Sequence, residues 1–412
     1  MLDKQRVVIT GIGAVTPLGL NVEEFWKGLV AGKLGIDYIS RFDAGNSVVK
    51  LDAEVKGFDP TRYMDIKIVD RTSRSTQFGI TAAQEAIQSA RLDLTKEKPE
   101  RVGVITSNIV ETDYLVKASE LLRKRGPRHA DPLFITKSSP SVIAMQIGML
   151  LGAKGPNSSV NSLCASGADA IGTAFNHMRL GYADVMVTGG ADASLEAITI
   201  AGMNILGALS RETDPTKACR PFDLNRSGFV YGEGAGMVIL ETYEHARKRG
   251  APILAELIGA GWSFDAFSTT APHFETEAIA INIALRDAGV KPEEVDYISA
   301  HGTGTKLNDR NETKAIKLVF KDRAYRIPIS ATKSMIGHTI TAAAAIEAVA
   351  TVLAISRGVI PPTMGYETPD PECDLDYVPN IARPAQVNIC LCNSFGLGGE
   401  NCCLVIKRFD EK

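Results

Sequence analysis

The sequence predicts an α/β fold built from two similar halves. Three observations support this prediction. Apolar, β-rich runs alternate with helical patterns along the chain, two long helical segments are almost free of charge, and each of these follows a strand-like run through a short loop. Such alternation is typical of largely parallel strands that are buried on both faces.

The strand-like runs come in chain order, each followed by a loop or a helical pattern. "RVVITGIGAV" precedes "VEEFWKGLVAG", and "RVGVITS" precedes the helical segment 112–125. "ADVMVTGG", "VDYISAHGT" and "IPISATKS" follow later in the chain. A strand that leads into a helix places that helix on a face of the sheet. We therefore expect helices to cover the sheets of both halves.

Two helical segments are rich in alanine and glycine. "ASGADAIGTAFNHMRLG" follows "SSVNS", and "TITAAAAIEAVATVLAISRG" follows "IPISATKS". A helix that is apolar all round is buried on all sides, and small residues let neighbouring backbones approach closely. Each segment ends near a glycine that can stop a helix, Gly181 and Gly358. One such unit in each half indicates a duplicated fold with both helices packed between sheets.

Composition places the chain among globular proteins. It has 412 residues, 45% hydrophobic residues and a formal net charge of −3, so it exceeds one ordinary domain and lacks the basic surface of general nucleic-acid binders. Its apolar runs are interpreted as far short of the ~18 residues that span a membrane, and we expect a cytoplasmic protein.

Seven cysteines in a long, loop-poor chain do not indicate a disulfide scaffold. Cys390 and Cys392 form one close pair, and Cys402 and Cys403 form another. Zinc sites usually space their cysteines differently, and both pairs lie in strand-like sequence. We expect them to be buried core thiols and predict no metal site.

Cys164, in "NSLCASGADA", lies where a strand-like run ends and a helical run begins. The positive end of a helix favours a thiolate over a thiol. The small residues that follow it leave room for a bulky acyl group. A buried core cysteine is the alternative, because free cysteine is among the most buried residue types.

Two histidines make a catalytic interpretation of Cys164 more favourable. His301 ends the strand-like "VDYISA" and opens "HGTGT", while His338 stands at the start of the second apolar helix, a position resembling that of Cys164. One cysteine and two histidines at such junctions indicate thiol nucleophilic catalysis. Lys333 precedes His338 by five residues; a buried ammonium there would favour nearby anions, and a surface lysine is the alternative.

A glycine-rich loop follows near the C-terminus. "NSFGLGGENCC" contains Gly396, Gly398 and Gly399 between apolar runs. Such a loop can turn sharply and direct backbone N–H groups at an anion, as an oxyanion hole requires. The chain has no Walker motif and no G-x-G-x-x-G after an N-terminal strand, so nucleotide binding has little support.

Taken together, these motifs resemble those of a known family. "NSLCASGADAIGTA", "HGTGT", "TKSMIGH" and "NSFGLGG" occur in the order and at about the spacing seen in β-ketoacyl-acyl-carrier-protein synthases, the type II condensing enzymes of fatty-acid synthesis and their type II polyketide relatives. "VVITGIGAVTPLG", "GPRHADPLF" and "CRPFDLNRSGFVYGEGAGMVILE" are also similar, so the resemblance covers essentially the whole chain.

The resemblance implies a thiolase fold, with five layers α-β-α-β-α and normally a dimer. Residues 1–250 would form the half that carries the nucleophilic cysteine, and residues 251–412 the half that carries both histidines. The implied reaction is a decarboxylative Claisen condensation. Malonyl-acyl-carrier-protein would react with an acyl group on Cys164 to give a β-ketoacyl-acyl-carrier-protein longer by two carbons.

The resemblance also implies roles for individual residues. Cys164 would be the nucleophile and His301 and His338 its partners, with the backbone N–H groups of Cys164 and Leu397 as the oxyanion hole. Lys333 would act electrostatically near His338. The implied substrate-binding residues are Thr303, Thr305, Phe395, Leu397 and Met203, and those with a structural role near the site are Glu347 and Asp309. No cofactor is implied, because phosphopantetheine carries the substrates.

Four positions depart from the family pattern. Leu397 and Met203 stand where phenylalanine is common in the acyl pocket, Ser268 where histidine is frequent, and Glu400 where a small polar residue follows the glycines. Leucine and methionine give a more adaptable pocket than phenylalanine. A polyketide or polyene synthase is therefore an alternative to fatty-acid synthesis.

An acidic carrier protein would need a basic docking surface. Two clusters are candidates: Lys67, Arg71 and Arg74, and, within "RKRGPR" at 123–128, Lys124, Arg125 and Arg128. An ordinary solvated face is the alternative for such a charge run. The expected assembly is a homodimer, or a heterodimer with a chain-length-factor subunit.

Two other functions remain as alternatives. A thiolase-like acyltransferase would act on coenzyme A esters, and a chain-length-factor-like partner subunit would be non-catalytic. The second is disfavoured because Cys164, His301 and His338 are all retained. The first would gain support if Cys402 or Cys403 lay beside Cys164 and His301.

Overall fold

One large sheet dominates the structure, a computed structural model that describes residues 5–110 and 112–411. Ten strands form it in the order β10-β9-β13-β14-β8-β1-β7-β6-β4-β5. In chain order its strands are β1 Val7–Val15, β4 Val102–Ser107, β5 Asn157–Val160, β6 Val185–Asp192, β7 Gly234–Thr242, β8 Ala255–Phe264, β9 Tyr297–Ser299, β10 Ile329–Ser330, β13 Ile389–Phe395 and β14 Glu400–Lys407. Two small sheets pair β2 Asp37–Tyr38 with β3 Leu51–Asp52 and β11 Val359–Ile360 with β12 Arg383–Pro384.

The strand order shows the predicted duplication directly. In the first half the five strands are arranged β5-β4-β6-β7-β1, and in the second β10-β9-β13-β14-β8. If the five strands of each half are numbered in chain order, both halves have the arrangement third, second, fourth, fifth, first. The two halves join where β1 pairs antiparallel with β8. The predicted boundary at 250/251 lies in the segment that leads into β8.

The expectation of largely parallel strands is wrong. In each half the two pairings nearest the free edge of the sheet are parallel. In the first half β4 pairs with β5 and with β6, and in the second half β9 pairs with β10 and with β13. The remaining pairings, including β6 with β7 and β13 with β14, are antiparallel. The sequence pattern misled because burial on both faces gives an antiparallel strand the same continuous apolar run as a parallel one.

The helices form three layers around the two halves of the sheet. Their bounds are α1 Val22–Val30, α2 Ile66–Val69, α3 Arg74–Ser89, α4 Thr112–Arg125, α5 Phe134–Ser138, α6 Val142–Leu151, α7 Ser166–Arg179, α8 Ala197–Ile205, α9 Pro215–Ala218, α10 Tyr243–Arg249, α11 Phe274–Ala288, α12 Lys306–Phe320, α13 Lys333–Ile336 and α14 Ala343–Arg357. α3 and α6 cover the outer face of the first half, and α11 with α12 that of the second. α7 and α14 pack against each other between the halves, which gives the expected five layers.

Three apolar cores correspond to these layers. The largest lies between the halves and contains side chains of α7, α14, β1 and β14, while the other two lie under the outer helices. Along β14, Leu404 belongs to the central core and Val405 to an outer one. Because successive residues of a strand face opposite sides, both faces of the sheet are buried, which explains the apolar runs.

One apolar helical stretch is longer than expected. Ile340–Arg357 has the length and composition of a membrane span, so the expectation that every apolar run is far shorter than such a span is wrong. It contains α14, however, and most of it is buried inside the fold. Its apolar character follows from its place in the central layer, where no side of the helix meets water.

Candidate active site

Cys164 lies on a tight turn at the entry to α7. It is the middle residue of the 3-10 turn Leu163–Ala165, and it is 8% exposed. Leu163 has a φ of +49°, and the Ser166 hydroxyl donates to the Leu163 carbonyl at 2.6 Å. Asn161 Oδ1 accepts from the Leu163 backbone N–H at 3.1 Å. These contacts hold the strained turn on which the buried sulfur lies.

The thiol is less acidic than its place at a helix N-terminus suggests. Burial raises the pKa of Cys164, and this effect exceeds the lowering by the backbone N–H of Leu397 and the charge of Lys333. Desolvation of the buried sulfur thus opposes the preference for thiolate that a helix N-terminus gives. The backbone N–H groups of both Leu397 and Cys164 nevertheless act on the sulfur.

His301 follows β9, and the carboxylate of Glu312 holds its backbone in place. Its backbone N–H and that of Gly302 each donate to Glu312 of α12 at 2.8 Å. Lys333 Nζ lies 3.4 Å from His301 Nδ1. An ammonium can only donate, so Nδ1 is the acceptor and the ring proton is assigned to Nε2.

His338 lies between α13 and the turn that begins α14. Its backbone donates to the Val230 carbonyl at 2.7 Å, and its ring meets Phe229 edge-on at 4.9 Å. Among the residues that the structure describes, neither ring nitrogen has a hydrogen-bond partner, although the residue is 1% exposed. A buried polar group without a partner is costly, and at this position a ligand can supply the partner.

The three side chains meet as the sequence motifs predict. Cys164, His301 and His338 offer ligand atoms that all lie within 4.8 Å of one another. The set resembles a soft-metal site by residue type, but the Lys333 ammonium beside His301 opposes a second cation there. Burial and then the charge of Lys333 hold the pKa values of both imidazoles well below the usual range, so both rings are neutral.

Lys333 and Glu347 form a buried ion pair beneath the histidines. Lys333 is 0% exposed, and its ammonium donates to Glu347 Oε1 at 2.5 Å and to the His301 carbonyl at 2.7 Å. Burial raises the pKa of Glu347 to about 7 against the opposing charge of Lys333. The surface-lysine alternative is therefore excluded.

A cavity of about 290 Å³ opens onto the three side chains. Thr303, Thr305, Phe395 and Leu397 line it, together with Pro272 and its neighbours. The Thr303 and Thr305 hydroxyls lie 2.9 Å apart, and Thr305 Oγ1 also caps α12 through the Asn308 N–H at 3.3 Å. The lining of the cavity therefore combines hydroxyl groups with apolar side chains.

The glycine-rich loop connects β13 to β14 beside Cys164. Gly396 donates to the Glu400 carbonyl at 2.7 Å, and Gly398 and Gly399 have φ values of +95° and +92°. A Cβ on Gly396 would lie 2.7 Å from the Ser162 carbonyl oxygen, which is closer than real Cβ atoms approach. The loop needs glycine to come this close to the nucleophile turn.

The other departures from the family pattern have separate surroundings. Met203 packs with Cys164, Tyr231 and Ile340 in a separate small core and does not line the cavity that opens onto Cys164. Ser268 Oγ accepts from two backbone N–H groups of its own loop at 3.2 Å. Burial, together with the charge of Asp169, raises the pKa of Glu400.

Asp309 lies under the loop that follows His301. Its carboxylate accepts from the backbone of Phe222 at 2.8 Å and of Gly304 at 3.1 Å, and it is fully buried. Arg226 approaches it at 3.6 Å and donates to the Thr305 carbonyl at 3.2 Å. These contacts fix the "HGTGT" segment.

Sequence reasoning missed Glu312 and Arg226. Glu312 accepts three hydrogen bonds under His301, the third from Asn393 at 3.1 Å, and burial raises its pKa to about 7. Glu312 follows Asp309 by three residues, so on a helix both carboxylates lie on the same face, toward the "HGTGT" loop. This spacing could have identified Glu312 from the sequence. No local signal marks Arg226, which pairs with the distant Asp370.

The paired cysteines are core residues, as expected. Cys390, Cys392, Cys402 and Cys403 are all buried. Cys402 packs in the central core, and the Cys403 thiol lies 3.5 Å from Asn393 Oδ1. Within residues 5–110 and 112–411, the group of reactive side chains at the site contains a single cysteine, Cys164.

The candidate docking residues separate into two kinds. Those whose side chains reach solvent are Lys67, Arg71, Lys124, Arg125 and Arg128. Arg74, by contrast, donates to the fully buried Glu233 at 2.7 Å and to the Val55 carbonyl at 2.8 Å. Its interpretation as a docking cation is wrong, because the buried carboxylate already holds its guanidinium.

His338 is not the counterpart of Cys164, although the sequence suggested this. Thr341 is the middle residue of the 3-10 turn Ile340–Ala342 that precedes α14, as Cys164 is in the turn that precedes α7. His338 lies three residues earlier. The connection from β10 to the turn Ile340–Ala342 is seven residues longer than the connection from β5 to the turn Leu163–Ala165. This extra length places His338 before the second turn rather than on it.

Comparisons with known proteins agree with this site. The family model "Beta-ketoacyl synthase, N-terminal domain" matches residues 4–246, and "Beta-ketoacyl synthase, C-terminal domain" matches residues 254–367. The 3-oxoacyl-[acyl-carrier-protein] synthase 2 of Synechocystis sp. is 44% identical over 99% of both chains. That of Staphylococcus aureus is 42% identical over the full length of both.

Solved structures are also similar over nearly the whole chain. A ketosynthase complex described as a type II polyketide acyl-carrier protein with its ketosynthase bound to the hexaketide has a TM-score of 0.91 and 36% identity, covering 99% of this chain and 100% of that one. The ishigamide ketosynthase/chain length factor has a TM-score of 0.93 and 37% identity over the same shares.

Proposed function

The chain belongs to the β-ketoacyl synthase family, and on that premise we propose how its own residues carry out the condensation. The enzyme elongates an acyl chain with malonyl-acyl-carrier-protein, in fatty-acid or type II polyketide synthesis. The observation that supports the assignment of residues is the meeting of Cys164, His301 and His338 within 4.8 Å at the end of one cavity.

In the first half-reaction the Cys164 sulfur attacks the thioester carbonyl of an acyl carrier protein. A carbon–sulfur bond to Cys164 forms, the bond to the phosphopantetheine sulfur breaks, and the thiol proton leaves with that carrier. The backbone N–H groups of Cys164 and Leu397 stabilise the negative oxygen of the intermediate. Since burial raises the pKa of the thiol, we expect proton loss to accompany attack rather than precede it.

In the second half-reaction malonyl carrier protein loses CO₂. The electron pair of the broken carbon–carbon bond becomes an enolate, whose oxygen receives hydrogen bonds from His301 and His338. Neutral imidazoles suit this role because each can donate one N–H, and the depressed pKa values keep both neutral. The enolate carbon then attacks the acyl-Cys164 carbonyl and displaces the sulfur as a thiolate, which takes up a proton from solvent water.

The two alternative functions are less consistent with this site. A thiolase-like reaction would need a second cysteine beside Cys164, and Cys402 and Cys403 lie in the sheet instead. A non-catalytic subunit would have no need of the nucleophile and both histidines. The proposed reaction requires no redox, nucleotide or metal cofactor, and we propose that it takes place in the cytoplasm.

We propose that the acyl carrier protein docks on the exposed cations Lys67, Arg71, Lys124, Arg125 and Arg128. Charge reversal at Arg71 should raise KM for carrier-bound substrate but not for a free pantetheine thioester. The exposed Lys248 on α10, outside both clusters, provides the control reversal. Equal effects of Arg71→Glu and Lys248→Glu would contradict this docking surface.

The proposed assembly is a dimer through β5, as a homodimer or with a chain-length-factor subunit. β5 is an edge of the large sheet, and Met149 and Leu150 of the neighbouring α6 are exposed. An uncovered edge with apolar neighbours favours pairing with another chain. Sedimentation analysis of the chain alone distinguishes the homodimer from the heterodimer. A chain that dimerises by itself supports the homodimer, and a chain that stays monomeric supports pairing with a chain-length-factor subunit.

The function is tested by trapping the acyl group. The protein is incubated with acyl carrier thioesters of different lengths and analysed by peptide mass spectrometry. We expect acylation at Cys164, none in Cys164→Ala, and an unchanged level in Cys402→Ala, which removes a buried core thiol. Cys164→Ala should still decarboxylate malonyl carrier protein because both histidines remain. Acylation at another residue, or condensation by Cys164→Ala, would refute the assignment.

A further inference from the structure

The duplicated fold places two equivalent turns at the centre of the molecule. Cys164 is the middle residue of Leu163–Ala165, which leads into α7, and Thr341 is the middle residue of Ile340–Ala342, which leads into α14. The first residue of each turn has a positive φ, +49° for Leu163 and +41° for Ile340. The backbone N–H of Thr341 is therefore the counterpart of the N–H of Cys164.

The second donor of the proposed oxyanion hole has a counterpart as well. Leu397 lies two residues beyond the end of β13, and Ser194 lies two residues beyond the end of β6. β6 and β13 occupy the same place in the strand order of their halves. The pair of N–H groups formed by Cys164 and Leu397 thus has a counterpart in Thr341 and Ser194.

A carboxylate of the protein occupies this second pair of donors. Ser194 N–H donates to Asp192 Oδ1 at 2.9 Å, and Thr341 N–H approaches Oδ2 at 3.4 Å. The Thr341 hydroxyl donates to Oδ2 at 2.9 Å. Asp192 is 0% exposed, and burial raises its pKa to about 6, which leaves it mostly ionised at neutral pH. The second half therefore contains an anion where the first half would bind the oxyanion of the reaction.

The carboxylate connects two segments that border the nucleophile. Ile340, next to Thr341, packs in the same small core as Cys164, and so does Leu195, next to Ser194. His338 lies three residues before Thr341 on the segment that Asp192 holds. The Ser107 hydroxyl fixes the same turn from another side by donating to the Thr341 carbonyl at 2.8 Å.

We propose that Asp192 is the built-in anion of a second, internal anion hole and a positioning residue for condensation. It fixes the Ile340–Ala342 turn, and through that turn the position of His338 and the wall beside Cys164. The inference rests on the proposed function, since the reaction it supports is the condensation at Cys164. It assigns a role to a residue that touches neither substrate nor reacting atoms.

The test is chemical rescue. Asp192→Ala leaves the two backbone N–H groups and the two hydroxyls of Ser194 and Thr341 around a space the size of a carboxylate. We expect at least about a tenfold loss in the rates of malonyl decarboxylation and condensation, because hydrogen bonds to a charged group are lost. Formate at tens of millimolar should restore a measurable part of both rates, whereas formamide, of similar shape but neutral, should not. A variant with wild-type rates, or one that formate and formamide affect equally, would overturn the proposal.

Other variants keep the test decisive if Asp192→Ala does not fold. Asp192→Asn can accept from Ser194, but its NH₂ group faces the donors of Thr341, so we expect a similar loss without a response to formate. Thr341→Val removes one donor and should cause a smaller loss. Thr81→Val on α3, which also removes a buried hydroxyl, is the matched control and should leave the rates unchanged. Wild-type rates in Asp192→Asn would overturn the proposal.

The outcomes also separate this inference from the proposed function. If the wild-type enzyme condenses acyl and malonyl carriers and the Asp192 variants do so equally well, only the role of Asp192 fails. If the wild-type enzyme acylates no residue with any carrier thioester, the proposed function fails, and the role of Asp192 in it fails too.

Discussion

The ion pair between Lys333 and Glu347 leads to a prediction about both stability and pH dependence. Both side chains are almost completely buried, and Nζ and Oε1 lie 2.5 Å apart. Glu347→Gln leaves the Lys333 ammonium buried without its counter-charge, and breaking a buried pair in this way costs about 3–5 kcal/mol. Lys333→Met should lower the free energy of unfolding by less, because the Glu347 carboxyl, whose pKa burial already raises to about 7, takes up a proton once the ammonium is gone. We expect the double variant to lose clearly less than the sum of the two.

The same pair sets the charge near the histidines. The Lys333 ammonium lowers the pKa values of both His301 and His338. In Lys333→Met this contribution disappears, so both imidazoles take up protons at a higher pH than in the wild type. The wild-type site works with neutral rings, and a second positive ring proton changes both the charge and the donor pattern of the site, so we expect the acid-side change in malonyl decarboxylation to begin at a higher pH. Burial remains the larger cause of the lowering, so activity near neutral pH should persist in part.

Urea unfolding of the wild type, both single variants and the double variant gives the coupling energy. Decarboxylation of malonyl carrier protein across the acid pH range gives the profile. The exposed pair Lys124–Glu120, at 3.3 Å on α4, is the control and should show no measurable coupling. Strictly additive losses at Lys333 and Glu347, or an unshifted pH profile in Lys333→Met, would refute the reasoning.

Three further predictions concern the loop, the acyl pocket and the stability of the first half. Gly396→Ala should reduce condensation severely while the protein stays folded, because its Cβ would lie 2.7 Å from the Ser162 carbonyl; acylation rates with intact circular dichroism test this, and a wild-type rate would exclude the close approach. Leu397→Phe should shift the acyl-chain preference in competition assays with mixed carrier thioesters, and an unchanged profile would exclude a gating role. The pKa of His245 is raised chiefly by its hydrogen bond to Glu241, so it stabilises the fold below its unfolded pKa of about 6.5 and loses this effect as pH rises through the folded value. His245→Gln should remove that part of the pH dependence in urea unfolding, and an unchanged dependence would contradict it.

The sequence was most informative where chemistry depends on neighbouring residues. Cys164, His301, His338 and the glycine loop each stand in a short motif, and the structure brings all of them to one cavity. The duplication was also predictable, because the Ala-rich and nearly uncharged composition of two helices, one in each half, indicates that both are buried. These features need only local pattern and periodicity to be recognised.

The features that the sequence did not predict depend on contacts between distant residues. The carboxylate of Asp192 meets Thr341 from 149 positions away, and Arg74 meets Glu233 from 159 positions away. The ionisation of Cys164 is a similar case, since its helix position is local but its burial depends on the whole fold. Strand direction was missed for the same reason, because both faces of the sheet are covered whichever way a strand runs.

The position of the site between the halves explains why neither half alone provides it. Cys164 stands at the start of α7 in the first half, and both histidines and the Leu397 N–H belong to the second. The two central helices pack against each other, so the distance from sulfur to imidazole depends on the shared core rather than on either sheet. A duplicated fold supplies two equivalent turns at that core. One turn presents the nucleophile, while the other is held by a buried carboxylate and supports the histidine segment, so two related halves yield one reactive centre.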